Sequence, residues 1–109
     1  MNYKVKTTSI FEKNLKKLSK KYPSLKTEYI ELVEALKDNP TQGIPLGKSC
    51  YKIRLSIKSK GKGKSGGSRV ITNIVVAKNI VYLLTMFDKS DQESLSKKEL
   101  EELLGYIKP

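Results

Sequence analysis

The spacing of apolar and polar residues changes along the chain, and each change marks a different element. From Asn2 to Thr7, Tyr3 and Val5 alternate with Lys4 and Lys6, the period of two that marks a short strand. Ser9, Ile10, Phe11 and Glu12 then have the S-x-x-E spacing of a capping box, and Ile10, Phe11, Leu15, Leu18 and Tyr22 follow a helical period. Pro23 ends that helix. Ser24 is placed to cap a second one, in which Leu25, Tyr29, Leu32, Val33 and Leu36 form the inward stripe while Lys26, Glu28, Glu31 and Glu34 point outward, until Asp38, Asn39 and Pro40 stop it. The two make a helical hairpin.

Thr41 to Gly47 reads as a connection punctuated by Pro and Gly. From Cys50 to Ile57 the period returns to two, with Tyr51, Ile53, Leu55 and Ile57 on the core side and Lys52, Arg54 and Ser56 on the other. A flexible Lys/Gly/Ser loop follows. The segments 69–77 and 80–87 are dense in Val, Ile and Leu, as expected of central strands, and the short link at Lys78 and Asn79 makes them a hairpin. Ser96 and Glu99 form a second capping box, with Leu95 and Leu100 as its hydrophobic staple, opening a last helix with Leu100, Leu103, Leu104 and Ile107 inward. The order β-α-α-β-β-β-α predicts one α+β domain over residues 1–109: a small, mostly antiparallel sheet with the helical hairpin packed on it and a C-terminal helix.

Composition narrows the chemistry. A chain of 109 residues can bury roughly two thirds of its unfolded surface, enough for one modest core. Its 22 Lys and Arg against 11 Asp and Glu give a formal charge of +11, which favours a polyanionic partner. Histidine is absent, and with it His-based triads, His-driven ribonuclease mechanisms and most zinc chemistry. No metal or cofactor is expected, and any catalysis must run on Lys, Arg, Tyr or carboxylates. The single Cys50 cannot form an internal bridge and reads as a small packed residue. No apolar run approaches a membrane span and the N-terminus has no apolar signal core, so the expected location is the cytoplasm, away from membranes.

Position makes the charge more specific. Between Lys48 and Arg69 lie eight basic residues, Lys48, Lys52, Arg54, Lys58, Lys60, Lys62, Lys64 and Arg69, and no acidic one. The lysines of the first helix read as a solvated face, but Lys52, Arg54 and Arg69 sit in strands and must project in fixed directions. Gly61, Gly63 and Gly66 match G-x-G-x-x-G literally, yet the segment leads into a β-branched strand where a dinucleotide fingerprint must open a helix. A P-loop fails for the same reason and for want of an upstream Gly. Glycines that permit close approach, with lysines that supply non-specific attraction, suit a sugar-phosphate backbone instead.

Three segments carry a resemblance. They are Tyr51 to Leu55 (YKIRL), Gly63 to Ile71 (GKSGGSRVI) and Tyr82 to Asp91 (YLLTMFDKSD), followed by a leucine-rich last helix. Together they resemble the RelE/ParE toxin superfamily of bacterial type II toxin-antitoxin systems, in its HigB-like RelE branch. The resemblance implies an mRNA interferase that cuts messenger on the ribosome by metal-independent attack of the 2'-hydroxyl on the adjacent phosphate. It also implies a cognate antitoxin, acidic or carrying a helix-turn-helix, through which the complex binds operator DNA. Such a reaction needs a base, cations around the phosphorane and an acid for the leaving oxygen.

By this resemblance Lys52 matches the first basic residue of the family's strand motif and would transfer a proton. A lysine titrating near ~10.4 requires nearby cations and partial burial for that role. Arg54 and Arg69 would hold the scissile phosphate, and Lys89 would stabilise or protonate the leaving group. Lys48, Lys58, Lys60, Lys62 and Lys64 would grip flanking RNA. Relatives often place a Tyr or His soon after the Lys89 position; Ser90 to Ser96 contains neither. Two other readings use the same residues differently: a ParE-like toxin that inhibits DNA gyrase without cutting anything, for which the strand cations need not converge, and a non-catalytic RNA- or ribosome-binding module.

Overall fold

The computed structural model describes residues 2–61 and 63–107, and their side chains except those of Lys64 and Ser65. Five strands, β1 (Lys4–Thr7), β2 (Ile44–Gly47), β3 (Cys50–Leu55), β4 (Ser68–Val75) and β5 (Ile80–Asp88), form one sheet in the order β1-β5-β4-β3-β2. Every pairing is antiparallel except β1 with β5, which is parallel. The helices are α1 (Ser9–Lys21), α2 (Leu25–Asp38), a single turn α3 (Gly63–Gly66) and α4 (Lys97–Leu104). The expected α+β architecture is therefore present.

The helical hairpin covers one face of the sheet. Phe11, Leu25, Leu32 and Leu36 pack there against Ile53, Val70, Ile74, Val81, Leu83 and Met86. The opposite face is covered less: Leu100 of α4, with Leu103 and Leu104 beside it, packs on Cys50, Ile71, Leu84 and Phe87. Burial raises the Cys50 thiol above its ordinary value, against smaller opposing effects of Asn73 and Lys48, which agrees with a packing role.

Several local readings are corrected. The first cap is Thr8, not Ser9: its hydroxyl accepts from the Phe11 N–H at 3.1 Å and donates to the Leu84 carbonyl at 2.8 Å, tying α1 to β5. Ser24 makes no side-chain cap; its hydroxyl donates to Glu28 at 3.0 Å. Glu28 faces inward rather than out, because its carboxylate also accepts the Lys58 N–H at 2.6 Å and so satisfies a turn that α2 covers. The segment read as a connection contains β2, an edge strand that tolerates Pro45. The segment read as a flexible loop contains a 3₁₀ turn at Lys58–Lys60 and the turn α3.

Beyond Thr7, β1 no longer pairs with β5. Asn14 of α1 takes over, its amide oxygen accepting from the Met86 N–H at 3.1 Å and the Thr85 hydroxyl at 2.6 Å. A side chain thus closes the part of the β5 edge that the short first strand leaves open.

Candidate active site

The strand cations converge because of ladder register. Residues directly opposite in a sheet share a face, and β3 pairs with β4 so that Arg54 stands across from Arg69 and Lys52 across from Ile71. Lys52 and Arg54 are two residues apart and so also share that face. Across the next ladder Arg69 meets Phe87. The face is the one that α4 covers only in part, and the cations lie beside its smaller apolar cluster.

Arg69 is only 1% exposed. Its guanidinium donates to the Ser68 carbonyl at 3.1 Å and forms an ion pair with Glu93 at 3.1 Å. Lys52 is half-buried, and its ammonium donates to the Glu93 carbonyl at 3.4 Å. Arg54 is exposed. Beside Lys52 and Arg54 runs a groove of about 400 Å³, lined also by Gln42, Gly43, Ile44 and Ile53. Lys89 leaves the end of β5 exposed, and its backbone N–H donates to the Gly67 carbonyl at 3.0 Å. That bond fixes the start of the segment after β5 against the start of β4.

Gly67 makes this junction possible. A Cβ there would lie 2.4 Å from the Leu55 carbonyl oxygen and 2.9 Å from the Ser56 Cα, so only glycine lets the two strands approach beside Arg69.

The lysines expected to grip RNA do not form one set. Lys58 is exposed as the first residue of the 3₁₀ turn. Lys48 is exposed in the β2–β3 turn, beyond the opposite end of β3 from Arg54 and roughly 20 Å of strand away from it. Lys60 is a correction: its ammonium is buried in an ion pair with Asp88 and also donates to Ser90 at 2.8 Å, so its charge is neutralised inside the protein. The Tyr22 hydroxyl donates to the same carboxylate at 2.7 Å. Lys62 lies outside the described residues, as does the side chain of Lys64.

Glu93 went unnoticed in the sequence, where nothing separates it from Asp91 or Gln92. In space its carboxylate faces Arg69, Lys52 and Lys89. Desolvation would raise it, but the charge and hydrogen bond of Arg69 and the charges of the two lysines outweigh that and hold it below the ordinary glutamate value.

The molecule is a small α+β domain that carries its strand cations on one partly covered sheet face. Its affiliation is specific. The model of the family described as the RelE toxin of the RelE/RelB toxin-antitoxin system matches residues 5–108, and the chain belongs to that family. Its fold is similar to that of an arginine-to-alanine mutant of the E. coli toxin RelE in the free state, with a TM-score of 0.56 at 16% identity, covering 97% of this chain and 94% of that one. The protein is a toxin of a toxin-antitoxin system, with a cognate antitoxin as its partner. Among the described residues no helix is long and apolar enough to cross a membrane.

Proposed function

We propose that the chain is a ribosome-dependent mRNA endonuclease of the HigB-like kind, acting in the cytoplasm and held in check by an antitoxin that carries the complex to operator DNA. The observation that carries this reading is the β3–β4 register, which sets Arg54 opposite Arg69 on the face that also bears Lys52. A phosphate seated there meets two guanidinium groups, which offer paired N–H donors to its oxygens. As the 2'-hydroxyl attacks phosphorus and the bond to the 5'-oxygen breaks, negative charge grows on the phosphoryl oxygens. Donors already aimed at that charge lower the barrier. Lys52 is the proton carrier for the 2'-hydroxyl, and Lys89 stabilises or protonates the leaving oxygen.

The test is cleavage of a defined message on purified ribosomes. Wild type is expected to cut within codons and leave 2',3'-cyclic phosphate ends, and Arg69→Ala to lose about 100-fold or more in rate. Because Arg69 is buried, the exposed Arg54→Ala is assayed beside it, with circular dichroism as the check on folding; it too is expected to cut slowly. Intact ribosome-bound messages with wild type, or inhibition of gyrase supercoiling instead, would overturn the reading.

A further inference from the structure

Glu93 sits where an anion is expected. The pair it makes with Arg69 is asymmetric: the guanidinium side is 1% exposed and the carboxylate side 48% exposed. The carboxylate therefore lies between Arg69 and solvent. Both of its oxygens approach the same guanidinium nitrogen, at 3.1 Å and 3.4 Å. Lys52 holds the backbone carbonyl of the same residue. A carboxylate oxygen pair and a phosphate oxygen pair present similar acceptor geometry to arginine, so one can stand in for the other.

The segment that carries Glu93 is built to hold it without locking it. Asp88 anchors its start, accepting from the N–H groups of Ser90, Asp91 and Gln92, and Ser96 fixes its end as the cap of α4. Between these anchors Glu93 belongs to no helix or strand, so moving it breaks no ladder.

We propose that Glu93 occupies the seat of the substrate phosphate and is a specificity-determining residue of the site: an anion reaches Arg69 only by displacing it. This rests on the ribonuclease reading of the same site. Its consequence is a threshold. A stray anion or a loosely held RNA must compete with a carboxylate tethered beside its cations, whereas a message held in place by another body arrives at high effective concentration and wins. The same cations that hold the carboxyl low make it a poor proton acceptor, which separates this role from that of a base.

The experiment measures binding of a fully 2'-O-methylated RNA oligonucleotide, which cannot be cut by 2'-hydroxyl attack, to wild type, Glu93→Gln, Asp91→Asn, Arg69→Lys and the double variant of Glu93→Gln with Arg69→Ala. Glu93→Gln is expected to bind roughly five- to tenfold more tightly than wild type, and Asp91→Asn less than twofold. The gain should vanish in the double variant. Equal tightening by both carboxylate changes would reduce the effect to net charge and overturn the proposal, as would a gain that survives loss of Arg69. If binding falls in Arg69→Lys but ignores Glu93, the proposal fails and the phosphate seat stands. If binding ignores Arg69 altogether, the ribonuclease reading fails with it. Ribosome-dependent cleavage that collapses in Glu93→Gln would also overturn the proposal, since the carboxylate would then be taking part in the chemistry.

Discussion

Two cation–carboxylate pairs stand at the same end of the sheet, on opposite faces, and they differ in one respect. Ser68 is paired with Asp88 and Arg69 with Phe87, so Asp88 points toward the helical hairpin and Arg69 away from it. In the Lys60–Asp88 pair both side chains are buried, at 9% and 2% exposure, and Tyr22 and Ser90 complete the carboxylate's hydrogen bonds. In the Arg69–Glu93 pair only the cation is buried. Removing one member of a buried pair strands a charge, whereas exposed pairs contribute little to stability. The same chemistry thus serves as a fixed clamp on one face and as an exchangeable contact on the other.

Breaking the clamp tests this most severely. Asp88→Asn is expected to lose about 3 kcal/mol in urea unfolding, because Lys60 is left buried without its counter-charge. Desolvation would raise the Asp88 carboxyl, yet its bonds to Lys60, Tyr22 and Ser90 hold it well below the usual aspartate range. A depressed folded value means that its contribution is complete above the unfolded value of ~3.9 and is lost as pH falls toward the folded one. The urea midpoint of wild type should therefore drop between about pH 6 and pH 3 more than that of Asp88→Asn.

Gly67→Ala asks whether the two faces depend on one junction. Its new methyl meets the Leu55 carbonyl, and a loss of about 2 kcal/mol is expected together with weaker RNA binding, since Lys89 and Arg69 are both set from this point. A control far from both pairs lies in the β2–β3 turn, where Lys48 and Ser49 have φ of 55° and 59°. Replacing Ser49 by Gly, which such turns prefer and which keeps Lys48 in place, should add up to about 1 kcal/mol and leave cleavage unchanged. The smallest effect belongs to the exchangeable pair: Glu93→Gln should lower the melting midpoint far less than Asp88→Asn, as differential scanning calorimetry can check, while changing affinity.

Much of the fold was legible because its elements obey simple periods. The alternation around Ile53 and the leucine stripe of α2 report burial directly, and Ser96 and Glu99 form the capping box that their spacing predicts. β2 was hidden because an edge strand needs only half its hydrogen bonds and can carry Pro45 and Gly47, which read as loop. Glu28 and Lys60 were misplaced because a charged residue in a polar run gives no sign that one backbone N–H, or one distant carboxylate, will take it inward. The strand cations were visible as a group, since a period of two orients them. Glu93 was not, because its position depends on how an irregular segment folds back over β3 and β4.

The parallel pairing of the first strand with the last has a consequence for when the toxin exists. Lys4 to Thr7 find their partners only at Ile80 to Leu83. During synthesis β1 waits unpaired until about three quarters of the chain is made, and α1 cannot be tied down by Thr8 and Asn14 until β5 arrives. Contacts so distant in sequence close late. The same final strand delivers Asp88, Lys89 and the segment bearing Glu93, so the assembled cationic face and its carboxylate cover appear together. Until β5 is made, the growing chain lacks Asp88, Lys89 and Glu93 and the strand pairing that places the first two beside β4.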